Sequence, residues 1–292
     1  MWFRLEGPTR ALIEASPESL GPVYLVLTDL ADVTFLILLL TVLYLVGWRR
    51  EAATVIGYGF LGYVSVIALK IVFALPRPPE TWWLYAFEGY ATASAGSGNL
   101  YGFPSGHAVA AVVIYGGLAV ERGWLDDRRK LAAVAGLIVV ISMTRIPLGL
   151  HYLGDTIGGL ALGVGLIAGA RWIAEGDPRR TFAVATPVAA ATVLLTGFGA
   201  SALAALGACI GGILAGRIYE IAPEPRSRVE LGALLVVGLG FVVAIQLVEP
   251  LFAGILAAVV LVDLVLVAGI LGTPLAVAWA LEAASVEEPT TA

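Results

Sequence analysis

The sequence predicts an all-α fold, a polytopic membrane helical bundle of about nine transmembrane helices. Of the 292 residues, 59% are hydrophobic and 13% are charged, and the mean hydropathy is +0.92. A soluble domain carries about a quarter charged residues. Here, apolar runs of about 20 residues, long enough to cross a bilayer, recur along most of the chain. The net charge of −5 is small, and without a long basic stretch it does not indicate nucleic-acid binding.

The candidate spans follow one another through short connections. They cover residues 23–47, 52–74, 105–120, 131–149, 155–175, 182–199, 201–217, 231–248 and 251–272. The apolar residues 273–281 are too few to cross the membrane again. Before the first span, the sequence predicts either a flexible terminus or a short helix on the membrane surface. The apolar face of that helix would consist of Trp2, Phe3, Leu5, Leu12 and Ile13.

The basic residues alternate between the connecting loops. Twelve of the 17 follow the first, third, fifth and seventh spans, which places them on one side of the membrane. The positive-inside rule makes that side cytoplasmic, so the amino terminus is predicted to face out and the carboxyl terminus in. The other five basic residues fall on the outer side, and they are Arg4, Arg10, Lys70, Arg77 and Arg145.

Polar groups collect at the outer ends of the predicted helices, and both histidines of the chain are among them. The full set is Lys70, Arg77, Ser105, Gly106, His107, Arg145, His151 and Asp155. Snorkelling at span ends explains a lysine or an arginine. It does not explain histidines and an aspartate at matching depth. Histidine can act as base, acid or nucleophile near neutral pH, so the set indicates a reaction site.

Two local patterns support this interpretation. Ser105 follows a proline and precedes an apolar helix, which is a favourable N-cap position. The free N–H groups of the first helical turn attract anions, and His107 projects into that region, which capping alone does not require. His151 and Asp155 are four residues apart, so on a helix they share one face. Asp155 can then fix the ring tautomer, and the other ring nitrogen can act as a nucleophile.

The cations suit an anionic substrate. Arginine binds phosphate oxygens through a bidentate fork and lysine acts as a point charge. Lys70, Arg77 and Arg145 can therefore hold a phosphoryl group and stabilise its transition state. The histidines and Asp155 could instead bind zinc or iron, although nearby cations oppose a metal ion. A metal site is therefore the competing interpretation.

The chain resembles the type 2 phosphatidic acid phosphatase superfamily in three segments with that superfamily's order and spacing. They are Lys70-x6-Arg77-Pro78, Pro104-Ser105-Gly106-His107 and Arg145-x5-His151-x3-Asp155. The resemblance covers about residues 25–175, with Thr144 where the third motif usually has serine. It implies a membrane phosphatase, haloperoxidase-like in its core, that hydrolyses a lipid phosphate or polyprenyl diphosphate without metal or other cofactor.

The resemblance also implies a role for each motif residue. His151 would be the nucleophile that forms a phosphohistidine, and His107 the acid that protonates the leaving oxygen. Asp155 would orient His151. The phosphate would be bound by Lys70, Arg77, Ser105, Gly106 and Arg145. Two alternatives stay open: a transferase that passes the phosphoryl group to another acceptor, and a lipid-phosphate binder or transporter without catalysis.

With the resemblance, the chain divides into four predicted parts. They are an amino-terminal interfacial segment (1–22), a phosphatase core (23–176), further transmembrane helices of unknown role (177–282) and an acidic tail (283–292). The expected location is the cell membrane, with the active site outside the cytoplasm. Gly207-x3-Gly211 and Gly212-x3-Gly216 suit close helix packing, within the chain or between the copies of a homo-oligomer. The expected partners are the lipid substrate and membrane lipids, without nucleic acid.

Overall fold

The computed structural model describes residues 2–84, 101–252 and 254–287. Over these ranges the chain is helical and forms no β-strand, as the sequence predicts. A short 3-10 turn, Trp2–Arg4, precedes the first helix. The helices are α1 (Glu6–Ala15), α2 (Gly21–Asp29), α3 (Val33–Leu45), α4 (Arg49–Phe73), α5 (Gly106–Glu121), α6 (Arg128–Met143), α7 (Leu153–Ala174), α8 (Pro178–Leu195), α9 (Ala200–Ala215), α10 (Ile218–Ile221), α11 (Arg228–Val248) and α12 (Leu256–Glu287).

The structure does not confirm the predicted count of nine spans. Each predicted span contains helix, but by length and composition only five described helices can cross a membrane alone, or six if α2 and α3 form one span. α6 and α8 are not among them. Both begin with charged residues, Arg128-Arg129-Lys130 and Arg179-Arg180, which shorten their apolar stretch. Several apolar helices of sufficient length nevertheless indicate a membrane protein.

Two predicted element boundaries are wrong. The first span, 23–47, is broken, because α2 and α3 meet at an angle of 48°. The Asp32 side chain accepts a hydrogen bond of 2.9 Å from the Thr34 N–H and so caps α3 at the break. Near the carboxyl terminus, residues 273–281 are not a separate short segment. They belong to α12, which continues through Pro274 to Glu287. This helix crosses the predicted start of the acidic tail, of which residues 288–292 lie outside the described chain.

α4 lies at the centre of the bundle. It packs against α3, α5, α8 and α9, and these helices share one hydrophobic core. The predicted close-packing glycines act within the chain. A Cβ at Gly207 or Gly211 would meet the backbone carbonyls of Val260 and Leu264, so these glycines let α9 approach α12 closely.

The helices alternate in direction, so the bundle has two distinct ends. At one of them, which we call the basic end, Arg122 pairs with Glu51 at 2.9 Å and Arg171 with Glu121 at 2.7 Å. These contacts join the loops that the charge pattern places on one side of the membrane. The opposite end, here called the motif end, contains the carboxyl end of α4 and the amino ends of α5 and α7. Which end faces the cytoplasm stays a prediction.

The amino-terminal segment lies at the motif end. The predicted short helix exists as α1, and its apolar and polar residues differ in exposure. Phe3 and Leu12 are each 37% exposed, whereas the polar residues Arg4 and Thr9 are buried. Thr9 accepts a hydrogen bond of 2.9 Å from the Leu153 N–H. The segment is therefore attached to the start of α7 through polar contacts.

Candidate active site

The first motif follows the carboxyl end of α4. Lys70 lies in the last turn of this helix and is buried. The chain then leaves the helix, and Gly102 donates a hydrogen bond of 2.7 Å to the Leu75 carbonyl. Beyond this contact, the Arg77 guanidinium donates to the Leu150 carbonyl at 2.9 Å and contacts the His151 Nε2 at 3.1 Å. Arg77 thus joins the first motif to the third, as the sequence predicts.

The second motif opens α5. Ser105 occupies the predicted N-cap position, but its hydroxyl makes no capping hydrogen bond. The Ser105 Oγ is buried and has no hydrogen-bond partner among the described residues. Its backbone N–H donates to the Asp155 carbonyl at 3.0 Å, which ties the start of α5 to the start of α7. The expectation that this side chain caps the helix is therefore wrong, and another role is left for the hydroxyl.

The third motif begins in a compact turn after α6. The Arg145 carbonyl accepts hydrogen bonds from the N–H groups of Leu150 and His151, at 3.1 and 3.3 Å. Its guanidinium donates to the Thr28 Oγ1 of α2 at 2.8 Å. Arg145 and His151 are therefore brought together by a turn rather than by one continuous helix, as the sequence indicates.

The relation between His151 and Asp155 differs from the predicted one. His151 is not helical, because α7 begins at Leu153. The Asp155 Oδ2 accepts a hydrogen bond of 3.1 Å from the Tyr152 N–H. This contact caps the amino end of α7, so the helix begins after Tyr152. The Oδ2 also faces the His151 Nδ1 at 3.6 Å. The two side chains are adjacent, but this distance exceeds that of a hydrogen bond.

The tautomer of His151 follows from Arg77 instead. A guanidinium can only donate, so at 3.1 Å from Arg77 the Nε2 must be the accepting nitrogen. The ring proton therefore lies on Nδ1, toward Asp155. Burial, assisted by the charge of Arg77, lowers the pKa of His151 to about 3. His151 is thus neutral at physiological pH, with a lone pair on Nε2.

His107 belongs to the same cluster of charges. Arg145, His151, Lys70 and Arg77 all lie within electrostatic reach of its imidazole. In the part of the chain that the structure describes, no three histidine, cysteine or acidic side chains are arranged to hold a metal ion. The cluster combines two imidazoles with the cations Lys70, Arg77 and Arg145.

A comparison with known families agrees with this geometry. A family profile described as the PAP2 superfamily matches residues 51–179. Over these residues the chain is similar to the PAP2 superfamily. The match confirms the resemblance to the type 2 phosphatidic acid phosphatases, and it supports phosphatase activity on lipid phosphates. No curated protein and no solved structure matches the chain.

The PAP2 region contains every predicted site residue, but some residues that hold them lie outside it. Arg4 forms an ion pair with Asp155 at 2.8 Å, and Thr28 accepts the hydrogen bond from Arg145. Sequence reasoning did not assign either residue to the site. One signal was present for Arg4, because the charge pattern placed it on the same side of the membrane as the motifs.

A cavity of about 480 Å³ lies beside the site at the motif end. It is lined by residues of α1, Tyr24 of α2, the segment 81–84 and Pro147. None of the PAP2 motif residues contributes to its wall. The cavity is therefore separate from the cluster of cations and imidazoles.

Proposed function

We propose that this protein is an integral-membrane phosphatase that hydrolyses a lipid phosphate or polyprenyl diphosphate through a phosphohistidine on His151. The observation that carries the proposal is the state of His151. Its Nε2 contacts the Arg77 guanidinium at 3.1 Å, which assigns it as the accepting nitrogen of the ring. A cation beside the attacking nitrogen would place the phosphoryl group next to the lone pair that attacks it.

The remaining cations would bind the phosphate. Lys70 and Arg145 are buried, 4% and 2% exposed, and buried cations act on a bound anion with little screening by water. The Ser105 hydroxyl and the N–H groups at the start of α5, including that of Gly106, would add hydrogen bonds to the phosphoryl oxygens. These groups would stabilise the negative charge in the transition state.

The reaction would proceed in two steps. In the first, the Nε2 lone pair of His151 attacks phosphorus, the bond from phosphorus to the leaving oxygen breaks, and His107 donates a proton to that oxygen. In the second, His107 takes a proton from water, the water oxygen attacks phosphorus, and the phosphorus–nitrogen bond breaks to release phosphate. The Asp155 carboxylate would stabilise the positive charge on His151 between the steps.

The proposed location of the reaction is the outer face of the cell membrane, because the motif end is opposite the end that carries most basic residues. The substrate headgroup would then lie in the outer leaflet. No metal ion enters the proposed steps. A transferase would share the first step and differ only in the acceptor of the second.

The proposal predicts that the purified protein releases phosphate from phosphatidic acid or a polyprenyl diphosphate, with and without EDTA. His151→Ala should abolish this release, since no other group of the site supplies the attacking nitrogen. Brief reaction with ³²P-labelled substrate should give a protein label that is stable in alkali and lost in acid, as expected for a phosphohistidine.

The outcomes separate the alternatives. Near-normal release by a folded His151→Ala protein would refute the nucleophile. Loss of activity in EDTA with recovery on zinc would favour a metal site. Transfer to an added alcohol in preference to water would identify a transferase. Binding of the lipid without release or transfer would favour the binder or transporter.

A further inference from the structure

Arg4 is the most tightly held side chain of the amino-terminal segment. Its Nε and Nη2 donate to the Asp155 Oδ1 and Oδ2 at 2.9 and 2.8 Å, a bidentate pair. Its Nη1 donates to the Pro76 carbonyl at 2.6 Å. The guanidinium also lies over the Tyr152 ring, 4.2 Å from the centroid. Each guanidinium nitrogen therefore has a partner at the motif end.

The surroundings leave room for this arrangement. A Cβ at Gly102 would lie 2.7 Å from the Arg4 Nη2 and 2.8 Å from the Asp155 Oδ2. A Cβ at Gly154 would meet the Phe3 carbonyl and lie 2.6 Å from the Arg4 Cα. Both positions are glycine, so the backbone of the PAP2 region approaches Arg4 as closely as contact distances allow.

The pair is buried and carries charge. The Arg4 and Asp155 side chains are 8% and 0% exposed. Breaking a buried ion pair by removing one partner is strongly unfavourable, because it leaves an uncompensated charge. Arg4 therefore supplies a charge partner that offsets the burial of Asp155. It also fixes the plane of the carboxylate, since a bidentate fork allows one orientation.

That orientation aims Asp155 at the nucleophile. With Oδ1 and Oδ2 both bound to Arg4, the Oδ2 is held 3.6 Å from the His151 Nδ1. The other charged or titratable groups that act on His151 include Arg77 and Arg145, both cations. An ionised carboxylate at this place would offset them when His151 becomes positive. Arg4 itself has no described contact with His151.

We infer that Arg4 is a positioning residue for the reaction, which acts through Asp155 to hold the nucleophile His151 ready for attack. The inference rests on the proposed function. It assigns a role in the PAP2 site to a residue outside the matched region, 151 positions from its partner in sequence. The amino-terminal segment is accordingly part of the active site rather than a membrane anchor alone.

The test compares Arg4→Ala and Arg4→Lys with the wild type, using phosphate release from one lipid phosphate. Arg4→Ala should lower kcat by about 10- to 100-fold, the range for loss of a group that orients a functional side chain. KM should stay within about twofold, because Arg4 does not contact the phosphate ligands. Arg4→Lys should also lose several-fold in kcat, since one ammonium cannot replace the bidentate fork.

Two further measurements separate positioning from mere folding. Millimolar methylguanidinium should partly restore kcat of Arg4→Ala by entering the vacated position, and it should not restore His151→Ala. Arg10→Ala is the matched control on the same segment, because Arg10 pairs with Glu14 on the surface and both side chains are about two-thirds exposed. Its kcat should equal that of the wild type.

The possible failures are distinguishable. If His151→Ala keeps its activity, the proposed function fails. If His151→Ala is inactive but folded Arg4→Ala and Arg4→Lys have wild-type kcat, only the inference about Arg4 fails. If Arg4→Ala does not fold, Arg4→Lys decides: reduced kcat with unchanged KM supports positioning, and wild-type kcat overturns it.

Discussion

The two ends of the helix bundle both collect basic side chains, but they neutralise them in different ways. At the basic end, several arginines pair with carboxylates near the surface, and the buried Arg49 donates to the Ala222 and Pro223 carbonyls. The Arg180–Glu175 pair, for example, measures 2.8 Å and its side chains are 56% and 74% exposed. At the motif end, Lys70 and Arg145 are buried, and the buried carboxylate of Asp155 pairs with Arg4.

This difference shows how to distinguish a structural from a functional group of cations. Exposed pairs with matched charges contribute little and can serve orientation in the membrane. Buried cations act on a bound anion with little screening by water. The proposed phosphate site therefore differs from the basic end in grouping Lys70, Arg77 and Arg145 around two imidazoles.

The largest expected effect comes from removing a buried arginine at the motif end. Arg145→Ala should lower kcat/KM by about 10²- to 10³-fold, comparable to the loss of one group that stabilises transition-state charge. Arg180→Ala is the matched change at the basic end and should stay within about twofold. Phosphate release by the two folded variants decides the comparison, and losses of equal size would break it.

A second prediction concerns which end faces out. Cysteine at Ser19, exposed and next to α2 at the motif end, should react with a membrane-impermeant maleimide in intact cells. Cysteine at Asp126, exposed between α5 and α6, should react at least tenfold less until the cells are lysed. The native Cys209 is buried and should give little background. The reverse labelling pattern would place the reaction in the cytoplasm.

The smallest expected effect concerns the pKa of His151. Its lowered pKa, about 3, means that the neutral form persists as the pH falls through 6.5, where an ordinary imidazole becomes protonated. The chain has two histidines, so His107→Ala leaves one histidine signal in NMR of labelled protein. That signal should not titrate between pH 8 and pH 5. A midpoint near 6.5 would contradict the burial of His151 among cations.

Much of the site could be predicted from the sequence because the residues of each motif lie close together along the chain. The three motifs fix residue types at short spacings, and the membrane forces the helix ends that carry them to one face. Lys70, His107 and His151 could therefore be placed together without a structure. The orientation of His151 could not, because it depends on whether α7 begins before or after this residue.

The residues that sequence reasoning missed were missed for one physical reason. Arg4 and Thr28 lie far from their partners in sequence, and a single polar residue near an apolar segment has no periodic pattern. The break between α2 and α3 was missed for a similar reason, since both halves are apolar and only the Asp32 cap separates them. Composition predicts that a segment enters the membrane, but the path within it depends on side-chain contacts.

The central position of α4 has a consequence for dissecting the protein. The PAP2 match ends at residue 179, within the first turn of α8. Yet α8 and α9 pack directly against α4, and Gly57 on α4 leaves space for Thr181 on α8. Lys70 is carried by this same helix. A shortened protein that stops at the edge of the family match would expose one side of the helix that carries Lys70, so we expect the smallest unit that can be isolated in active form to be larger than the matched segment.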